Sequence, residues 1–156
     1  MSEDRGQAVY ALLRHVRPVV LGSARVVETG VRAVGWTVGS RAVVEVLYED
    51  GPATVPQVAT RLDLPRQGVQ RHVDDLLELG HVATQPNPRH RRSHLVTVTE
   101  AGRETFGRLR ERELRQLRQL APDCTDGDIA TATAVLAALH RDIRARGSAR
   151  LPREER

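Results

Sequence analysis

The chain has no lysine: its 24 basic side chains are all arginine. Aromatic residues make up only 3% of it, namely Tyr10, Trp36, Tyr48 and Phe106. That scarcity argues against binding of single strands by stacking bases on an aromatic platform. The one cysteine, Cys124, excludes an intramolecular disulfide and suits a reducing compartment. No apolar run approaches the roughly 20 residues of a membrane span. The start, Ser2-Glu3-Asp4-Arg5, is charged rather than signal-like. A cytoplasmic protein is expected, with no membrane partner.

Chemical motifs are equally scarce. Nothing matches a phosphate-binding glycine loop, a nucleophile elbow or a paired-carboxylate site. His15, His72, His81, His90, His94 and His140 show no clustering at metal-ligand spacing. The expectation is a protein that is not an enzyme and uses no cofactor or metal.

What is present fits one domain of 156 residues, 40% hydrophobic, with a net charge of +4. Arginine pairs with phosphate through a planar fork. A GC-rich genome also yields arginine in place of lysine, so position has to decide what the charge is for.

Apolar residues Val9, Leu12, Leu13, Val16, Val20 and Val27 recur at helical spacing, with Pro18 predicting a kink or break. Thr37 suits the cap of a second helix that Gly51-Pro52 stops. Thr54 and Gln57 have capping-box spacing for a short third helix ending at Leu62. After an Asp63-Leu64 turn, Pro65 opens a fourth, with Val69, Val73, Leu76 and Leu77 on its buried face and Gly80 as a left-handed cap. The period then changes to alternation in 81–85 and 93–98, which predicts a hairpin. Thr99 caps a fifth helix through Phe106, Leu109, Leu114, Leu117 and Leu120. Thr125 and Asp128 open a sixth carrying Ile129, Ala132, Val135, Leu136, Leu139 and Ile143.

The third and fourth helices and the turn between them form a helix-turn-helix whose second member suits the major groove. Its exposed positions are Arg66, Gln67, Gln70 and Arg71, and Arg can grip guanine while Gln grips adenine. A solvated polar face would look the same. The hairpin turn tips the balance: Arg89, His90, Arg91 and Arg92 sit in a stretch, 81–98, that contains no acid. Such an arm suits the minor groove or nearby phosphates.

With these motifs on view, the chain resembles the MarR family, the multiple antibiotic resistance regulators. The likeness lies in Thr54-Val55-Pro56-Gln57-Val58-Ala59, Arg66-Gln67-Gly68-Val69-Gln70-Arg71, Leu76 to Val82, and Asn87-Pro88-Arg89 through Thr99-Glu100-Ala101-Gly102. The resemblance implies a mainly α fold with a small β-hairpin wing, a winged helix-turn-helix lobe at 37–99 and dimerisation helices at 7–34 and 100–145. It implies a homodimeric repressor that reads a pseudo-palindromic duplex operator and is released by a small aromatic or anionic ligand. Family wings carry acids where this chain has Asn87 and His90.

The terminal helices carry more apolar surface than a small lobe covers, which independently favours a dimer. Arg14, His15, Arg17, Trp36 and Arg41 are the candidates for a ligand pocket. The alternatives are a protein-interaction module, in which the basic wing is incidental, and a redox-sensing regulator acting through Cys124. The acids Asp123 and Asp126 beside Cys124 disfavour a thiolate there.

Overall fold

The computed structural model describes residues 3–90 and 92–148. The element order is α1 (Glu3–Arg32), α2 (Val38–Asp50), α3 (Val55–Leu62), α4 (Arg66–Glu78), β1 (Val82–Pro86), β2 (His94–Val98), α5 (Glu100–Leu117) and α6 (Asp126–Ser148). This is the mainly helical class with a two-stranded hairpin. Residues Met1–Arg115 form one compact unit and Gln116–Arg156 a second.

Local chemistry explains several boundaries in the first unit. Thr37 Oγ1 accepts the Ser40 N–H and so caps α2. Thr54 and Gln57 close a full capping box, with Pro56 in the first turn of α3 where its missing N–H costs nothing. Asp63 takes the left-handed conformation (φ 54°) and turns the chain into α4. At the far end of α4, the Gly80 N–H reaches Leu77 O and the His81 N–H reaches Leu76 O, with Gly80 at φ 70°. These paired bonds satisfy carbonyls that the helix end would leave open.

The expected break at Pro18 does not occur, and α1 runs through it. Pro18 forfeits the bond to the carbonyl of Arg14, but both residues lie on an exposed stretch where water can take that carbonyl.

The core joins the end of α1 (Val31) and Trp36 to Val43, Val44 and Leu47 of α2, Val58 of α3, Val69, Val73 and Leu76 of α4, the hairpin valines and Phe106 of α5. Burying each such side chain contributes about 1.5–3 kcal/mol. Leu77 departs from expectation: it is 36% exposed and faces the hairpin side of α4 rather than the core.

The strands pair antiparallel in a register that sets Val82 opposite Val98 and Thr84 opposite Val96. Ala53 adds a single bridge to the free side of β2, exchanging both backbone bonds with Val96 at 3.1 and 2.8 Å. The hairpin root is thus fastened to the α2–α3 connection as well as to the core.

In the second unit, Thr125 and Asp128 cap α6 reciprocally, and the Thr125 hydroxyl and then its N–H, both donating to the Asp128 carboxyl, hold that carboxyl below its ordinary range. α5 ends at Leu117, so Leu120 lies beyond it. Cys124 is exposed just before α6. Among the described residues, no helix is long and apolar enough to cross a membrane and no group of three or more His, Cys, Asp or Glu could hold a metal ion.

Candidate nucleic-acid interface

An open groove of about 1090 Å³ lies between α4 and the hairpin. One wall is a strip of α4, in which Arg66, Gln70, Val73 and Leu77 succeed one another at helical spacing. The hairpin supplies the other wall, including Arg89, His90, Arg92 and His94. Thr54 and Gln57, at the capped start of α3, close one end.

The structure therefore gathers most of the expected DNA-facing residues. Arg66 and Gln70 open into the groove with Arg89, His90 and Arg92, whereas Gln67 and Arg71 are exposed on the same helix without lining it. Arg91 lies outside the described residues. Gly68 adds no bulk, and beyond its chain neighbours and the backbone of α4 nothing lies within 4 Å of where a Cβ would be.

Charge is segregated on this surface. Among the described residues, no acidic side chain lines the groove. Arg41, Arg61, Arg108, Arg110 and Arg115 each pair with a carboxylate, whereas Arg66, Arg71, Arg89 and Arg92 have no ion pair among the described residues. Unpaired guanidiniums facing an acid-free concavity leave their full field for a polyanion.

Two details were not read from the sequence. Gln70 Nε2 donates to Asp74 Oδ1 at 2.8 Å, one turn further along α4. Asn87 ties the tip of the hairpin together through hydrogen bonds to Arg89 and Ser93. The four-residue Gln–Asp spacing was the available signal for the first, and the habit of Asn to bond the N–H two residues on was the signal for the second.

The five ligand candidates are not brought together within the chain. Trp36 is buried, with Nε1–H donating to His81 Nδ1 at 2.9 Å. Arg41 makes a two-pronged pair with Glu113 at 2.8 and 2.6 Å and a further bond to Glu45 at 2.9 Å. Burial disfavours the Arg41 charge, but the bonds and attraction of the two glutamates outweigh it and raise its pKa. Arg14, His15 and Arg17 are exposed on α1. At 1.5 Å per residue, Arg17 lies about 22 Å along the helix from its end at Arg32, and Trp36 follows that end.

Residues 39–93 match the MarR family model. The uncharacterized protein Rv2011c of Mycobacterium tuberculosis is 42% identical over 87 residues, and a protein of Mycobacterium bovis, Mb2034c, matches to the same degree. That alignment covers 56% of this chain and 60% of each relative, so the chain matches less than two thirds of their length. Among solved structures, the MarR family transcription regulator SP03579 superposes with a TM-score of 0.78 at 26% identity, covering 93% of this chain and 96% of that one. A mutant MarR from E. coli complexed with operator DNA gives 0.71 at 21% identity, over 85% and 95% of the two chains.

Proposed function

We propose that the chain is a regulator of the MarR type, a transcription regulator that binds duplex DNA in a sequence-specific way, not an enzyme. α4 enters the major groove, where Arg66, Gln67, Gln70 and Arg71 meet base edges, and the hairpin wing lays Arg89, His90, Arg91 and Arg92 against the adjoining minor groove or phosphates. The observation that carries this reading is the acid-free groove that faces Arg66 and Gln70 of α4 with Arg89, His90 and Arg92 of the wing.

The finer reading is a homodimeric repressor. Val19, Val20 and Leu21 of α1, and Ile129, Val135, Leu136 and Ile143 of α6, are large apolar side chains left exposed in the single chain. A second copy covering them would place two reading helices on a twofold, pseudo-palindromic operator. A small aromatic or anionic ligand would then act by favouring a dimer geometry that no longer fits the operator spacing.

The test is binding of the purified protein to duplex DNA from just upstream of its own gene across a salt series, beside an Arg89→Ala/Arg92→Ala variant. Each neutralised phosphate contributes about 0.9 to the log–log slope. The expected result is steep, salt-sensitive binding with a bounded footprint, weakened and made shallower in the variant. Binding no tighter than to random duplex, unchanged by the substitutions, would overturn the reading and turn attention to a protein partner.

A further inference from the structure

Asn87 is one of the few polar residues buried in this structure, and its bonds point to a role of its own. Its Oδ1 accepts the Arg89 N–H at 3.0 Å and its Nδ2 donates to Ser93 Oγ at 2.8 Å. Ser93 Oγ in turn donates to the carbonyl of His90 at 3.1 Å. Backbone bonds from the His90 N–H to Asn87 O and from the Ser93 N–H to His90 O complete the tip. The side-chain bonds run in one direction, from Arg89 to Asn87 to Ser93 to His90, so position 87 must both accept and donate. A carboxylate could accept from Arg89, but the Ser93 hydroxyl would have to abandon His90 to serve it.

We propose that Asn87 is the positioning residue of the wing: a neutral clasp that sets the tip carrying Arg89 and Arg92 without placing an anion among them. This rests on the DNA-binding reading above and deepens it. Closing the loop with a carboxylate would put a negative charge into a groove lined by no acid among the described residues, and would offset part of the field that Arg66, Arg89 and Arg92 present. The amide fixes the same geometry at no cost in charge.

The experiment compares full-length wild type with Asn87→Asp, Asn87→Ala and Ser93→Ala in duplex binding over a salt series, with an Arg89→Ala control. Hydrogen exchange at the Arg89 amide is followed in parallel without DNA. Asn87→Asp is expected to lower the log–log slope by about 0.9, the equivalent of one phosphate contact. Asn87→Ala and Ser93→Ala should weaken binding at every salt concentration while leaving the slope at the wild-type value. Faster Arg89 exchange is expected in Asn87→Ala, which loses the acceptor, and that readout is independent of DNA.

If Arg89→Ala weakens binding while Asn87→Asp keeps the wild-type slope and affinity, the DNA reading stands and the clasp proposal falls. If Arg89 exchange in Asn87→Ala matches wild type, the proposal also falls, because the tip is then held by something else. If wild type itself shows no salt-dependent duplex binding, the functional reading fails and the proposal fails with it.

Discussion

Trp36 and His81, 45 residues apart, meet through a hydrogen bond of 2.9 Å from the indole Nε1–H to the imidazole Nδ1, their rings edge-on at 77°. Nδ1 must therefore be unprotonated, which assigns the proton of the neutral ring to Nε2, near the Thr105 hydroxyl on α5. The pair ties the turn after α1 to the root of the wing. It also makes the joint sensitive to acid, since a second proton on His81 would set N–H against N–H.

Burial, and secondarily the positive charge of Arg108, lower the His81 pKa from its ordinary 6.5. Between that lowered value and 6.5, the unfolded chain binds more protons than the folded one. The stability that His81 contributes is thus fully present above 6.5 and is lost as pH falls from 6.5 through the folded value. The difference in denaturation midpoint between wild type and His81→Gln should accordingly shrink between pH 7.5 and pH 5. A pH-independent difference would show that the ring is already charged in the folded protein or open to water. At neutral pH, Trp36→Phe should cost about 1–3 kcal/mol, because it leaves Nδ1 without its donor.

Gly102 explains a glycine that the sequence marks without giving its reason. A Cβ there would overlap the backbone carbonyl of His81 and come within 2.9 Å of Val98 Cγ1. The His81 carbonyl cannot swing aside, because it accepts the Thr99 N–H at 3.1 Å, and Thr99 Oγ1 caps α5 by accepting the Gly102 N–H at 3.2 Å. Gly102→Ala should therefore cost about 3 kcal/mol, the upper end of ordinary overpacking. Gly68, in the interior of α4 with open space at its Cβ, is the contrast: Gly68→Ala should stabilise by about 0.5–1 kcal/mol. Denaturant midpoints of the two variants moving the same way would contradict both accounts.

These cases show which kinds of information the sequence carried. The caps at Thr37, Thr54 and Thr125, the Asp63 turn and the Gly80 stop are set by neighbours within a few residues, and each was readable from spacing. The alternation that located the strands is local in the same sense, and so is the stretch without acids that marked the wing. Contacts such as Arg41–Glu113, 72 residues apart, leave no local trace, so the sequence does not show that Trp36 and Arg41 each have a structural partner. Helical spacing gives a face but not its width, and so it predicts Leu77 in the core although the residue is partly exposed. Pro18 predicted a break because the rule against interior proline carries no knowledge that the freed carbonyl lies on an exposed stretch.

The bond between Gln70 and Asp74 bears on which base the fourth helix reads. An amide grips adenine with its oxygen and the hydrogen on the same side as that oxygen. The 2.8 Å bond to the Asp74 carboxylate engages Nε2, and if it uses the opposite hydrogen, the reading edge is left free and the amide cannot flip without placing its oxygen against a carboxylate. Selection of bound duplexes from a random library should then return adenine at one position for wild type. Gln70→Ala should lose that preference, a discrimination of about 1–3 kcal/mol. Asp74→Ala should weaken it in part, since the amide is then free to turn and offer either edge. Asp74→Asn separates orientation from charge: an amide at 74 can bond either face of Gln70, so relaxed selectivity there cannot be credited to the lost carboxylate charge alone if Asp74→Ala and Asp74→Asn differ. An identical motif from wild type and Gln70→Ala would show that Gln70 reads no base, and the role of Asp74 would then reduce to a surface hydrogen bond worth a few tenths of a kcal/mol, on the order of 0.2–0.5.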